Sequence, residues 1–187
     1  RSAETLEAVM APYQYASFDD VLADCRARIE AGGKPAVLLL DGITDPNNLG
    51  ALIRTAAFMG MAALVTPKDR AAEVNETVYR IASGGAEHVP VAQVVNLSRA
   101  LEQLKEVGFW VVGFSEHGKK TLAQVKHDFP AAIIVGSEEK GMRPLIEKTC
   151  DHLVRIDGPG TFQTLNASVA GAVAMAWASD LLIKIDG

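Results

Sequence analysis

Leu40-Asp41-Gly42-Ile43-Thr44-Asp45-Pro46-Asn47-Asn48-Leu49-Gly50-Ala51-Leu52-Ile53-Arg54 is the stretch on which the reading of this chain turns. It leaves the short apolar run Ala36–Asp41, which has the continuous pattern of a parallel strand covered on both faces. It then enters a segment, Asn48 to Met59, that reads as a helix closed by Gly60. The polar loop between them is therefore a strand end, and in an open parallel sheet ligands bind beyond the carboxyl ends of strands. Asn48 reads as the helix N-cap. Arg54 lies six residues on, about 600° around the helix and 240° net, so the two share no face if Asn48 is fully helical. As a cap, Asn48 could reach the same cleft. On spacing alone Arg54 is either a surface ion-pair partner or a site cation.

The same alternation extends outward in both directions. Apolar runs at Ala62–Thr66, His88–Val91, Phe109–Phe114, Ala131–Gly136 and His152–Ile156 are further strand candidates. Helices are expected at Phe18–Ala31 behind Ser17, at Leu97–Val107 between Asn96 and Gly108, and from about Leu165 to Leu182. In the last of these, Leu165, Val169, Val173 and Trp177 recur at i, i+4, and the other faces are rich in Ala, Gly and Ser. This predicts an α/β fold, a mostly parallel sheet with helices on both faces. Residues 36–187 form the domain. Residues 1–35 show helix but no strand and read as an appendage or linker.

Composition narrows the class. The chain has 187 residues, 49% hydrophobic, which fits one compact domain. No run approaches the roughly 18 apolar residues of a membrane span, and the opening residues do not resemble a signal peptide. Two cysteines, Cys25 and Cys150, form no framework, so reduced thiols in a cytoplasmic setting are expected. Net charge is −5 and the pI about 5.4, unfavourable for a nucleic-acid binder taken whole. Basic residues nevertheless cluster locally at Lys119-Lys120, Lys126-His127, Lys68/Arg70 and Arg26/Arg28.

Two later strand ends also carry unusual loops: Gly136-Ser137-Glu138-Glu139-Lys140-Gly141-Met142, and Asp157-Gly158-Pro159-Gly160-Thr161-Phe162-Gln163-Thr164-Leu165-Asn166. Neither is a standard nucleotide motif. There is no G-x-G-x-x-G, and Met142-Arg143 stands where a P-loop needs Lys-Ser/Thr. The four histidines lack the pairing of a metal site, so no metal is expected. A hydrolase elbow is absent.

In this order the three loops resemble the three motifs of the SpoU/TrmH family of RNA ribose 2′-O-methyltransferases, in the SPOUT superfamily. The first spans Leu40 to Ala56. The second is Ile134 to Glu138 with Gly141-Met142, and the third is Ile156 to Gly160 with Thr164 to Ala170. The intervening stretch is most similar to the RlmB-type branch, which methylates a guanosine of large-subunit ribosomal RNA. Other acceptors in that class would be tRNA, and a knotted RNA-binding protein without activity is the rival reading.

The resemblance implies a C-terminal deep trefoil knot, a homodimer, and S-adenosyl-L-methionine held largely by main-chain groups. It assigns the cofactor to Gly136, Ile156, Gly160, Thr164, Leu165 and Asn166, and catalysis to Arg54, Asn48 and Glu138. It also implies that the family's N-terminal RNA-binding domain is absent from residues 1–35. One departure stands out: Asp157-Gly158 replaces the family's Pro-Met and adds a negative charge to the cofactor loop.

Overall fold

The structure, a computed structural model, describes residues 11–125, 130–161 and 164–179. Its order is α1 (Phe18–Glu30), β1 (Ala36–Asp41), α2 (Pro46–Phe58), β2 (Ala63–Pro67), α3 (Glu76–Ala82), β3 (Val91–Val94) and α4 (Leu97–Val107). Then follow β4 (Trp110–Phe114), β5 (Lys120–Thr121), β6 (Ala131–Gly136), α5 (Pro144–Thr149), β7 (His152–Arg155) and α6 (Ala167–Ala178). Among the described residues the strands form one sheet in the order β3-β2-β1-β6-β4-β7-β5. Every pairing is parallel. All carboxyl ends therefore lie along one edge, and β1 is aligned with β6 so that Asp41 sits opposite Gly136.

The core has two layers because strand side chains alternate in direction. Leu38 and Leu40 of β1 join Leu49, Leu52 and Ile53 of α2 and Ala174 and Met175 of α6 on one face. Val37 and Leu39 join Val21 and Cys25 of α1, Leu101 and Leu104 of α4 and Ile146 of α5 on the other. Strands β1 and β6 are covered on both faces and buried from end to end, with Asp41 at the end of β1 the one polar residue in them. Helix α1, read in the sequence as part of an appendage, packs against α4 and β3. Ahead of it, the Tyr15 hydroxyl accepts a hydrogen bond from Val74 N (2.9 Å), and the Tyr13 hydroxyl donates to Ala86 O (3.3 Å).

Several expectations are corrected. Helix α2 starts at Pro46, capped by Asp45, whose carboxylate accepts from Asn47 N at 2.9 Å. Pro46 at the first helical position loses nothing by lacking an N–H. Asn48 is thus fully helical and does not share a face with Arg54. Ser17 precedes α1 without a side-chain cap, and Asp19 and Asp20 supply the negative charge at that end.

Strand β3 begins at Val91, where His88–Val91 was expected. A 3₁₀ turn at Gly85–Glu87 uses up the preceding chain, and Pro90 has no N–H to give the ladder. Helix α6 starts at Ala167, capped by Asn166, which accepts from Ser168 N at 2.9 Å. Its expected extension past Ser179 lies outside the described residues. So do Lys126-His127 of the basic clusters and Phe162-Gln163 of the third loop.

The apolar stripe expected for α6 is split: Trp177 is buried in the core, but the N-terminal part faces outward. Leu165 and Val169 are 43% and 47% exposed, while the small residues Ala167, Gly171, Ala174 and Ala178 are inside. A Cβ on Gly171 would lie 2.3 Å from Leu52 Cδ2, so glycine there is what lets α6 sit close on α2.

Candidate active site

Three loops meet at the carboxyl edge of the sheet. The turn after β6 closes on itself: Ser137 N donates to Gly141 O (3.1 Å) and Gly141 N to Ser137 O (2.8 Å), with Gly141 at φ +63°. A Cβ on Gly136 would stand 2.2 Å from Gly141 C and 2.4 Å from Met142 N, so this fold-back requires glycine. The loop after β1 lies against the same turn, a Cβ on Gly42 being 3.7 Å from Ser137 Cβ. The third loop is tied to the second by Asn166 Nδ2, which donates to Glu138 Oε2 at 3.3 Å.

The second and third loops, with the end of β4 and Glu147 of α5, line an open cavity of about 340 Å³. That is within the range of small-molecule sites, about 300–1,000 Å³. Its floor is main chain and apolar surface from Gly136, Gly141, Ile156, Leu165 and Ala167. Its lining carries four carboxylates, Glu116, Glu138, Glu139 and Glu147, against one ammonium, Lys140. Glu147 accepts from Ser115 Oγ at 3.1 Å, fixing the β4 end to α5. Carboxylates around an apolar slot suit a ligand that is part aromatic or aliphatic and carries positive charge.

Residues 35–176 match the SpoU rRNA Methylase family. The chain belongs to that family. Among SpoU relatives, a tRNA/rRNA methyltransferase of Synechocystis, itself uncharacterized, is 43% identical over 170 residues. The match takes in 91% of this chain and 44% of that protein. YacO of Bacillus subtilis, named for the TrmH family of tRNA/rRNA methyltransferases, is 40% identical across 90% of this chain and 66% of its own length. The chain thus spans between about two fifths and two thirds of these relatives.

Two solved structures share the fold. The SpoU methyltransferase AviRb of Streptomyces viridochromogenes, determined in complex with AdoMet, superposes with a TM-score of 0.74 at 24% identity. It covers 81% of this chain and 62% of AviRb. A TrmH/SpoU tRNA modifying enzyme of A. aeolicus has a TM-score of 0.72 at 24% identity, covering 90% of this chain and 86% of its own.

Within this SpoU domain the anticipated residues divide into two groups. Gly136, Glu138, Ile156, Thr164 and Leu165 line the cavity, and Asn166 stands at its rim through its bond to Glu138. Gly160, exposed, is not among the lining residues, nor are Asn48 and Arg54. Arg54 is exposed on α2 and makes no ion pair among the described residues. Its main chain is pressed by the Gly84-Gly85 turn, where a Cβ on Gly85 would lie 2.9 Å from Arg54 Cα.

The charge added by Asp157 is paired: its carboxylate accepts from Arg155 Nε at 2.7 Å, and Arg155 also donates to Gly118 O. Missed in the sequence were Phe114, Ser115, Glu116 and His117 at the end of β4, and Glu147 on α5. Phe114 ends a strand already recognised and the next three follow it, so the carboxyl-edge rule could have found them.

Proposed function

We propose that this chain is the catalytic domain of an RNA methyltransferase that transfers a methyl group from S-adenosyl-L-methionine to a ribose 2′-hydroxyl. The reading extends to a guanosine of large-subunit ribosomal RNA, by resemblance to the RlmB-type branch, in a cytoplasmic setting. The observation that carries it is the carboxylate-rich cavity lined by the second and third family motifs at the carboxyl edge. S-adenosyl-L-methionine bears a sulfonium, an ammonium and one carboxylate. Its net positive charge suits walls supplied by Glu116, Glu138, Glu139 and Glu147, and its apolar parts suit Ile156, Leu165 and Ala167. When bound, it would supply a methyl group activated by a positively charged sulfur.

The chain's own residues then have separable tasks. Gly136, Ile156 and Leu165 hold the ligand by main chain and shape. Asn166 holds Glu138 at the cavity wall, where its carboxylate would offset the positive charge of the bound cofactor. Arg54 is exposed and has no carboxylate partner among the described residues, so it is available to an RNA phosphate. A guanidinium has no acceptor and keeps its proton, so Arg54 serves as an anion clamp that stabilises charge building on the ribose oxygen, not as a base. Asn48, half-buried in the first turn of α2, works from a different face and contacts the ribose separately.

A trefoil knot in the C-terminal part and a homodimer complete the proposal. The exposed Val169 on α6, with exposed Leu165 just ahead of that helix, supports the second.

Calorimetry with S-adenosyl-L-methionine tests the cavity, and absence of binding refutes the reading. Labelled-methyl incorporation into total RNA from cells lacking the protein, followed by mapping of the modified nucleotide, names the acceptor. Methyl found on a base, or on tRNA, overturns the corresponding part. Arg54→Lys is expected to lower turnover by about a hundredfold with cofactor affinity unchanged.

A further inference from the structure

Asp41 is one of two buried polar side chains among the described residues, at 2% exposure, and it lies at the last position of β1. Both of its carboxylate oxygens are engaged by one residue. Oδ2 accepts from the main-chain N of Arg143 at 2.7 Å, and Oδ1 accepts from Arg143 Nε at 2.7 Å. A buried carboxylate is retained only when its lone pairs are answered, and two short charge-assisted bonds answer them.

Arg143 stands between two parts of the cavity wall. Immediately before it, Gly141 lies across Gly136, and Met142 is buried in the core beside Gly113. Immediately after it, α5 begins and carries Glu147 into the cavity. Arg143 is the N-cap of α5, but its side chain makes no capping hydrogen bond to the helix. Its place is therefore set from outside, by a carboxylate 102 positions earlier in the chain.

We propose that Asp41 is a positioning residue for the cavity. Through Arg143 it fixes how far the turn 137–141 folds over Gly136 and where α5 presents Glu147. It touches no ligand itself, since it is absent from the cavity lining. The inference rests on the cavity being the S-adenosyl-L-methionine site, and it deepens that assignment by adding a residue from the first motif to the wall of the second. A residue serving only bulk stability would lower the melting temperature and leave affinity alone.

The test uses the whole chain with Asp41→Asn and Arg143→Gln. Asparagine keeps the size of the side chain but presents an amide N–H where Arg143 already donates. Glutamine at the 57% exposed Arg143 removes one bond and keeps the main-chain donation, so it serves if Asp41→Asn does not fold. Amide hydrogen exchange over residues 137–149 is expected to accelerate in both variants while β2, β3 and α4 stay protected.

The dissociation constant for S-adenosyl-L-methionine is expected to rise about ten- to a hundredfold in Asp41→Asn and less in Arg143→Gln, with kcat less affected than KM. Folded variants with unchanged local exchange overturn the proposal, as do variants with wild-type affinity. If the unaltered protein binds no S-adenosyl-L-methionine, the functional assignment fails, and the exchange data alone decide whether Asp41 sets the wall.

Discussion

Gly136→Ala is the sharpest perturbation of the candidate site. An added Cβ would meet three main-chain atoms, Gly141 C at 2.2 Å, Met142 N at 2.4 Å and Gly141 O at 2.5 Å. None is the end of a flexible side chain, so relief requires the turn itself to withdraw, by about 0.8 Å to reach even 3.0 Å from the nearest atom. That turn is held by Ser137–Gly141 hydrogen bonds and by the buried Met142. Overpacking of this kind costs about 1–3 kcal/mol. In a chain of this length that is a fall of roughly 2–12 °C in melting temperature.

Because the displaced atoms are cavity wall, a shift near 1 Å should also weaken S-adenosyl-L-methionine binding, by up to about a hundredfold. Scanning calorimetry and titration calorimetry measure the two effects separately. Gly158→Ala is the control: nothing lies within 4 Å of its Cβ, and both quantities should hold. If Gly136→Ala melts and binds like the parent, the account of the loop as a rigid wall is wrong.

Gly85→Ala pushes a Cβ to 2.9 Å from Arg54 Cα, against backbone, so turnover should fall while the cofactor dissociation constant, measured by calorimetry, stays the same. Asp45→Ala removes the α2 cap, and urea denaturation should show a loss of about 1 kcal/mol. Burial pushes the Cys150 thiol up to about 12 and the Cys25 thiol up to about 11, from 9. Both groups stay protonated in the fold longer than in the unfolded chain. Their contribution is therefore complete below pH 9 and declines as pH rises from there toward 11–12. Urea midpoints at pH 8 and 10.5 should show the decline, and alanine at both positions should flatten it. At pH 8 iodoacetamide should label neither thiol until urea is added.

The sequence revealed the parts of the fold with one unambiguous cause. Strands β1 and β6 lie at the centre of the sheet, and six consecutive buried positions admit almost nothing polar, so their limits show as composition changes. Helix α4 declared itself through Asn96 and Gly108, whose side chain and positive φ close its ends. Short elements have no such signal. Helix α5 has six residues and α3 seven, too few for a repeat to register, and β5 has two. The start of α2 was legible in principle, since Asp-Pro is a cap followed by a first helical residue, but Asn48 offered a competing cap.

Helix α6 misled for a different reason. Large apolar residues at i, i+4 normally mark the buried face. Here α2 comes close at Gly171, so small side chains face it there while Met175 and Trp177 fill the core further along, and Leu165 and Val169 are left outside. In the site, the motifs identified the loops but not the partners that hold them. Neither the Asp41–Arg143 pair nor Glu147 with Ser115 follows from any local spacing, because each joins segments distant in the chain.

The cavity's construction from four separate stretches makes any occupant a temporary cross-link. A small molecule seated there would clasp the ends of β4 and β6, the turn before α5 and the approach to α6 at once, and unfolding would have to expel it. Mass action then predicts added stability of about 2.7 kcal/mol at a hundred times the dissociation constant. Resistance to heat or to protease would report occupancy without any methyl acceptor. A dye-based melting screen of adenosyl compounds could thus rank inhibitors of this domain before its RNA is in hand.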